Sequence, residues 1–303
     1  RLMHAAHRPK VNVGCCRRLI HVYGRQYITL YEEEEAGKVA QHETSNYVVI
    51  PAPSFDNASQ SKDKSKCTFH PPSLTEIYKF DEMVQNLSRR NPTQKLIFSA
   101  GSEWLVRVRT SFLVGCHAMI SHEMDFESVF SAFQKLHDLF GLVSSTEEAG
   151  SSVWSSMSAI FQAKQHNWID FKVTFEMTSV KSSTILMEEY LHYASHVNGA
   201  IFTIVPGKLL FFLSPSSKLK TEEPWCDLDG KRHFGAIYYA ELFAYLGIRM
   251  VVRLEDADAE ETAVFERYGS TVCTLEDLGC TERSERFSLQ TISRFVEVCR
   301  HAR

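Results

Sequence analysis

Residues 95–120 read KLIFSAGSEWLVRVRTSFLVGCHAMI, and the fold turns on how that run divides. Lys95 to Phe98 is a short apolar strand of the kind a sheet buries on both faces. A loop follows. From Leu105 onward, Val108, Phe112, Leu113, Cys116, Ala118 and Ile120 give a helix with little polar face, which places it centrally in a layered domain.

The pattern upstream agrees with such a layer. Leu74, Ile77, Tyr78, Met83, Val84 and Leu87 form one apolar helical stripe, and Arg89-Arg90-Asn91-Pro92 ends it. Ser73 with Glu76 three residues later is a capping box, so the helix starts there. Leu19 to Leu30 is β-rich, and Asn46 to Ile50 is a short strand ended by Pro51 and Pro53, because proline withholds its ladder donor. Glu32 to Glu35 reads as a solvated acidic rim and Ser54 to Lys66 as an exposed, mobile loop.

Downstream, helices are expected over Phe126 to Leu139 and Val153 to Gln165, with Ser144 to Ser152 as their linker. A further helix from Met187 to His196 ends at Asn198-Gly199 in an αL cap, and the domain boundary is expected there. Beyond it, strands at Phe202 to Val205, Leu209 to Leu213, Arg249 to Leu254 and Thr271 to Leu275 alternate with helices at Ala236 to Leu246, Ala259 to Tyr268 and Leu289 to Cys299. One α/β sheet layered by helices is the natural solution for that alternation. Pro206-Gly207 predicts a type II turn, and Glu255 and Asp256 fall at the carboxyl edge where α/β sites form.

Composition excludes several classes. The 303 residues suit two domains, and 44% hydrophobic residues with 20 Phe suffice for sizeable cores. A net charge of -4 gives no general affinity for polyanions, so nucleic acid is not an expected partner. No apolar run is long enough to span a membrane. Eight Cys are too sparse for a disulfide scaffold, and Cys15-Cys16 is no zinc pattern, so a reducing compartment, no metal and no cofactor are expected. Asn57-Ala58-Ser59 and Asn86-Leu87-Ser88 read as accidental glycosylation triplets.

A set of short motifs then falls in a telling order. Glu189-Tyr190, His192-Tyr193, Asn198-Gly199, Ile204-Val205-Pro206-Gly207-Lys208, Val252-Arg253-Leu254 and Glu276-Asp277 together resemble the Cdc14 family of dual-specificity protein phosphatases. Phe112-Leu113-Val114-Gly115 resembles the helix after that family's vestigial first loop, and the likeness runs from about residue 17 to the end. It implies tandem phosphatase-like α/β domains: an inert first domain at 17–182, a linker helix at 183–198, and the amino-terminal part of a catalytic domain at 199–303. It also implies phosphorylated proteins as partners, phosphoserine followed by proline as the target, a division-linked role, and residence in the nucleus or cytoplasm.

The chemistry of such enzymes needs a thiolate in a ring of backbone N–H groups at a helix start, an Arg fork on the phosphoryl oxygens, and an Asp to protonate the leaving oxygen. In the first domain Ser99 stands where the nucleophile belongs and Leu105 where the Arg belongs, so that loop is expected to be inert. In the second, the resemblance puts the Cys-x5-Arg loop after the helix ending near Cys299, and the residues stop at Arg303. That loop is therefore expected to be missing, the chain to be a cut piece with no nucleophile, and its half-built parallel sheet to expose an edge.

Two spacings imitate the motif. Cys226 precedes Arg232 by six and Cys280 precedes Arg286 by six, each across two acidic residues that would repel thiolate and phosphate alike. Both read as chance. Asp277 matches the family's general acid, although the neighbouring Gly279-Cys280-Thr281 departs from its pattern; an N-cap or loop Asp is the plain alternative. Glu188 and Glu189 match the acidic wall of the substrate groove, with Leu191 and Ala194 replacing acidic residues usual there. The plain alternative is the wet face of an amphipathic helix. His117 and His122 read as structural or exposed. A second function class stays open: a non-catalytic phosphoprotein-binding or scaffold protein on a degenerate phosphatase fold.

Overall fold

A computed structural model describes residues 20–29, 36, 38, 46–52, 69–100, 103–140, 147–172, 184–220, 222–254, 258–274 and 289–301. The chain divides into two units, Arg1–Met187 and Glu188–Arg303, and both are mixed α/β.

In the first unit the strands are β1 (Ile20–Tyr23), β2 (Gln26–Thr29), β3 (Tyr47–Ile50) and β4 (Lys95–Ser99). They form one sheet in the order β1-β2-β4-β3. β4 runs parallel to both β2 and β3, and β1 closes the edge antiparallel to β2. Phe98 therefore lies opposite Ile28 on one side and Ile50 on the other, and all three are buried. A strand enclosed in this way must be apolar on both faces, which is why its sequence runs continuously rather than alternating.

Four helices cover the sheet: α1 (Leu74–Arg90), α2 (Trp104–Ser121), α3 (Phe126–Phe140) and α4 (Glu147–Gln165). The capping box at the start of α1 is complete. Ser73 Oγ accepts from the Glu76 N–H at 3.3 Å, and Glu76 Oε2 accepts from the Ser73 N–H at 2.7 Å. α2 is buried without interruption from Val108 to Ile120 and packs against α1, α3 and α4. At Gly115 a Cβ would stand 2.8 Å from Met157 Cε of α4, the far end of a flexible side chain packed across that helix pair. The Ser-rich stretch read as a linker is helical from Glu147.

The second unit is built differently. α5 (Met187–Ala194) leads through a 3-10 turn at His196–Asn198 to Gly199, which takes φ 104. β5 (Ile201–Val205) and β6 (Leu209–Phe212) form a hairpin across Pro206-Gly207. Gly207 has φ 66, and the Lys208 N–H donates to Val205 O at 3.0 Å, as the type II turn requires. β7 (Trp225–Leu228) and β8 (Lys231–Phe234) form a second hairpin, across the stretch that holds the Cys226–Arg232 spacing. Its turn, Asp229-Gly230, has φ 53 and φ 72, the type I′ signature. α6 (Ala236–Leu246) follows, then β9 (Met250–Arg253), α7 (Ala259–Arg267), β10 (Thr271–Thr274) and α8 (Leu289–His301). β9 and β10 pair in parallel.

The single sheet expected for this unit is thus three separate two-stranded ribbons among the described residues. Side chains join them instead. Ile201, Phe234, Tyr239, Phe243, Val251, Val264 and Phe265 bury one another, with Phe212 edge-on to Phe243 at 4.9 Å between centroids. Two tight turns commit β5–β6 and β7–β8 to pairing locally, and the aromatic cluster does the rest.

Candidate functional site

The carboxyl edge of β4 is where a parallel sheet presents a ligand site. Ser99 ends the strand there, 2% exposed, and Ala100 donates its N–H to Thr29 O at 2.8 Å. Residues 101–102 lie outside the described residues. α2 starts at Trp104 with Glu103 as N-cap, whose side chain makes no capping bond, and Leu105 is half-buried on the first turn. A serine at the strand end and a leucine six further on supply neither a thiolate nor a phosphate fork. The Arg109 guanidinium further along α2 is engaged elsewhere: it donates to Glu76 Oε1 at 2.8 Å and to His70 O at 3.3 Å, tying α2 to the start of α1.

Glu188 and Glu189 are exposed in the first turn of α5, while Met187 and Tyr190 on either side of them are buried. The favourable dipole end and the wet face of the helix account for both carboxylates as they stand. Leu191 is half-buried, and Tyr190 packs against Phe202 at 6.4 Å between centroids. Burial raises the Tyr190 phenol above its ordinary pKa.

Asp277 lies outside the described residues, as do Glu255, Asp256, Cys280 and Arg286. Cys226 and Arg232 are described, and they sit on the two arms of the β7–β8 hairpin. Cys226 pairs with His233, and Arg232 with Asp227. The Arg232 guanidinium grips Asp227 with Nε to Oδ1 at 3.0 Å and Nη2 to Oδ2 at 3.2 Å, and it lies 4.4 Å above the Trp225 ring. The hydrogen bond and charge hold Asp227 below and Arg232 above their ordinary pKa values. A cradle for phosphate needs convergent N–H groups at a helix start, and a β-ribbon offers no such ring.

The sequence reading missed a buried polar cluster around Asp81. Asp81 of α1 is 1% exposed, yet its carboxylate is fully engaged. Oδ1 accepts from His117 Nδ1 and from Ser121 Oγ, both at 2.5 Å, and Oδ2 accepts from Gln85 Nε2 at 2.7 Å. Three such bonds are what a carboxylate needs before a core will hold it. His117 Nε2 faces His122 Nε2 at 3.2 Å, and Gln26 Nε2 of β2 stands 3.3 Å from the same His122 nitrogen. Burial first, then the neighbouring His117, lowers the His122 pKa. The adjacent Cys116 thiol is pushed well up by burial and by Asp81, so it is inert. Spacing carried a faint signal of this cluster: Ser73 fixes the phase of α1, and in that phase Asp81 falls between Ile77 and Val84 on the buried side.

No family model and no curated protein matches this chain. Among the described residues no helix is long and apolar enough to cross a membrane.

Proposed function

We propose that this chain is a Cdc14-like protein phosphatase module directed at phosphoserine followed by proline. Its first unit serves as a non-catalytic platform, and the polypeptide as it stands does not turn over substrate. The observation that carries the reading is β4–loop–α2: a strand enclosed by two parallel neighbours, running into a helix buried along most of its length. That is the architecture in which a phosphatase loop is built, and here Ser99 and Leu105 leave it without chemistry. In the second unit β9–α7–β10 repeats the parallel grammar just ahead of Asp277, the proposed general acid. Glu188 and Glu189 are the proposed acidic wall for a basic residue in the substrate.

The second reading, a phosphoprotein-binding scaffold, is favoured by the ribbon placement of Cys226 and the commitment of Arg232 to Asp227. One experiment separates the two and tests both. The purified chain is given a phosphoserine-proline peptide with a basic residue beyond it, and phosphate release and fluorescence anisotropy are measured. No release with saturable binding, weakened by the double change Glu188→Gln and Glu189→Gln, is the expected result. Release that disappears on Cys226→Ser or Cys280→Ser would show a nucleophile in one of the two decoy spacings. Neither release nor binding would sink the phosphatase-like reading altogether.

A further inference from the structure

We infer that the outward face of the β5–β6 ribbon, with the acidic first turn of α5 beside it, docks an extended segment of a phosphorylated protein that carries a large apolar residue two positions from a basic one. The inference rests on the phosphoprotein reading above and adds what the target must hold besides its basic residue. It starts from alternation along the two strands. Ile201, Leu210 and Phe212 pack into the core of the second unit. Neighbouring strand residues point to opposite faces, so Phe202 and Phe211, paired across the ribbon, turn outward with their ring centroids 6.2 Å apart. Phe211 is 47% exposed, and Ile204 and Leu213 beside this pair are 48% and 44% exposed. A contiguous apolar patch of this kind on a surface marks a place where something binds.

Charge says what binds there. The buried Tyr190 of α5 packs its ring 6.4 Å from Phe202, which brings the helix against one end of the patch. Glu188 and Glu189, just before it, are exposed, and they are the only carboxylates on that helix. The ribbon's single cation, Lys208, lies in the turn at the opposite end. The surface therefore has a direction. A partner's cation belongs over α5, and its apolar side chain over the two phenylalanines. Spacing sets the interval between them. In an extended chain, side chains two residues apart share a face and lie about 6.7 Å apart. The steps from Tyr190 to Phe202 and from Phe202 to Phe211 are of that size. A basic residue held by Glu188 and Glu189 thus places the side chain two positions on over the Phe202–Phe211 pair.

The test uses the full chain and two fluorescein-labelled peptides read by anisotropy. One is phosphoserine-Pro-Ala-Lys-Ala-Leu, and the other has Ser in place of the Leu. The Leu peptide is expected to bind about tenfold more tightly, the scale of one Leu side chain withdrawn from water. Phe211→Ser changes an exposed side chain, so circular dichroism and the urea midpoint should hold while the two peptides come to bind alike; Ile204→Ser should narrow the preference. The double change Glu188→Gln and Glu189→Gln should weaken both peptides by the same factor and leave the preference intact. Equal binding of the two peptides by the unaltered chain, or a preference that survives Phe211→Ser, overturns this inference and leaves the phosphoprotein reading standing. Binding of neither peptide sinks both. Sedimentation as a dimer that Phe211→Ser splits would show a second copy on this face, and that too overturns the inference.

Discussion

In the first unit Phe98 sits in a continuous four-stranded sheet, hydrogen-bonded on both sides, and the helices pack onto what the backbone has already fixed. In the second unit no described ribbon bonds to another, and the aromatic cluster around Phe243 holds them in place. The contrast shows two ways to make α/β structure from similar sequence grammar. Backbone pairing gives a defined carboxyl edge on which a loop can be aimed. Side-chain packing gives a core in which, among the described residues, the parallel edge is reduced to the two-stranded β9–β10 pair.

The comparison can be broken by truncation. Phe98→Ala should cost about 4–5 kcal/mol, the top of the range for a buried aromatic, because strands on both sides resist collapse into the cavity. Phe243→Ala should cost about 3 kcal/mol, since separate ribbons can close around the gap. Urea unfolding of both variants checks this, and equal losses would erase the distinction.

A smaller effect is expected at Gly235. Its added Cβ would stand 2.2 Å from Glu223 O, a backbone atom, and its own N–H donates to Pro224 O at 2.8 Å. Gly235→Ala should cost about 1–3 kcal/mol by forcing the strand away from its neighbour. Hydrogen exchange should show the loss at β8 and the start of α6. Ser73→Ala should cost about 1 kcal/mol by removing one half of the capping box, read as a lower urea midpoint with an unchanged slope.

The smallest effect sharpens the contrast through pH. The His122 pKa is depressed in the folded chain, so the unfolded chain takes up a proton at higher pH than the folded one does. Its contribution is fully present above about pH 6.5 and is lost as pH falls through the folded value. Midpoints measured from pH 7.5 down to 5.5 should decline, and His122→Gln should flatten part of that slope. A slope unchanged by the substitution would show that other groups carry it.

The architecture of the first unit was legible because its signals were local or periodic: a capping box, a continuous apolar strand and an apolar helix. Pairing between ribbons was not, since strand partnership depends on distant residues that no pattern along the chain reveals. The Asp229-Gly230 hairpin was readable from its turn dipeptide alone and was passed over for the Cys-x5-Arg spacing that spans it. Of the Asp81–His117–His122 cluster only the buried phase of Asp81 on α1 was legible, because the cluster joins two helices and a strand through residues 26, 81, 85, 117, 121 and 122. Of the expected site residues, Ser99 and Leu105 stand where the strand–loop–helix reading put them. Glu188 and Glu189 carry no feature beyond their exposure.

The β7–β8 hairpin is clasped at its base, where Ser216 N–H meets Phe234 O at 2.8 Å and Gly235 meets Pro224. Its outer end at Asp229-Gly230 is exposed, and no heavy atom lies within 4 Å of where a Gly230 Cβ would be. That arrangement makes the tip a grafting point: an epitope or fluorophore spliced there would ride on a stiff stalk while the aromatic cluster below kept its packing.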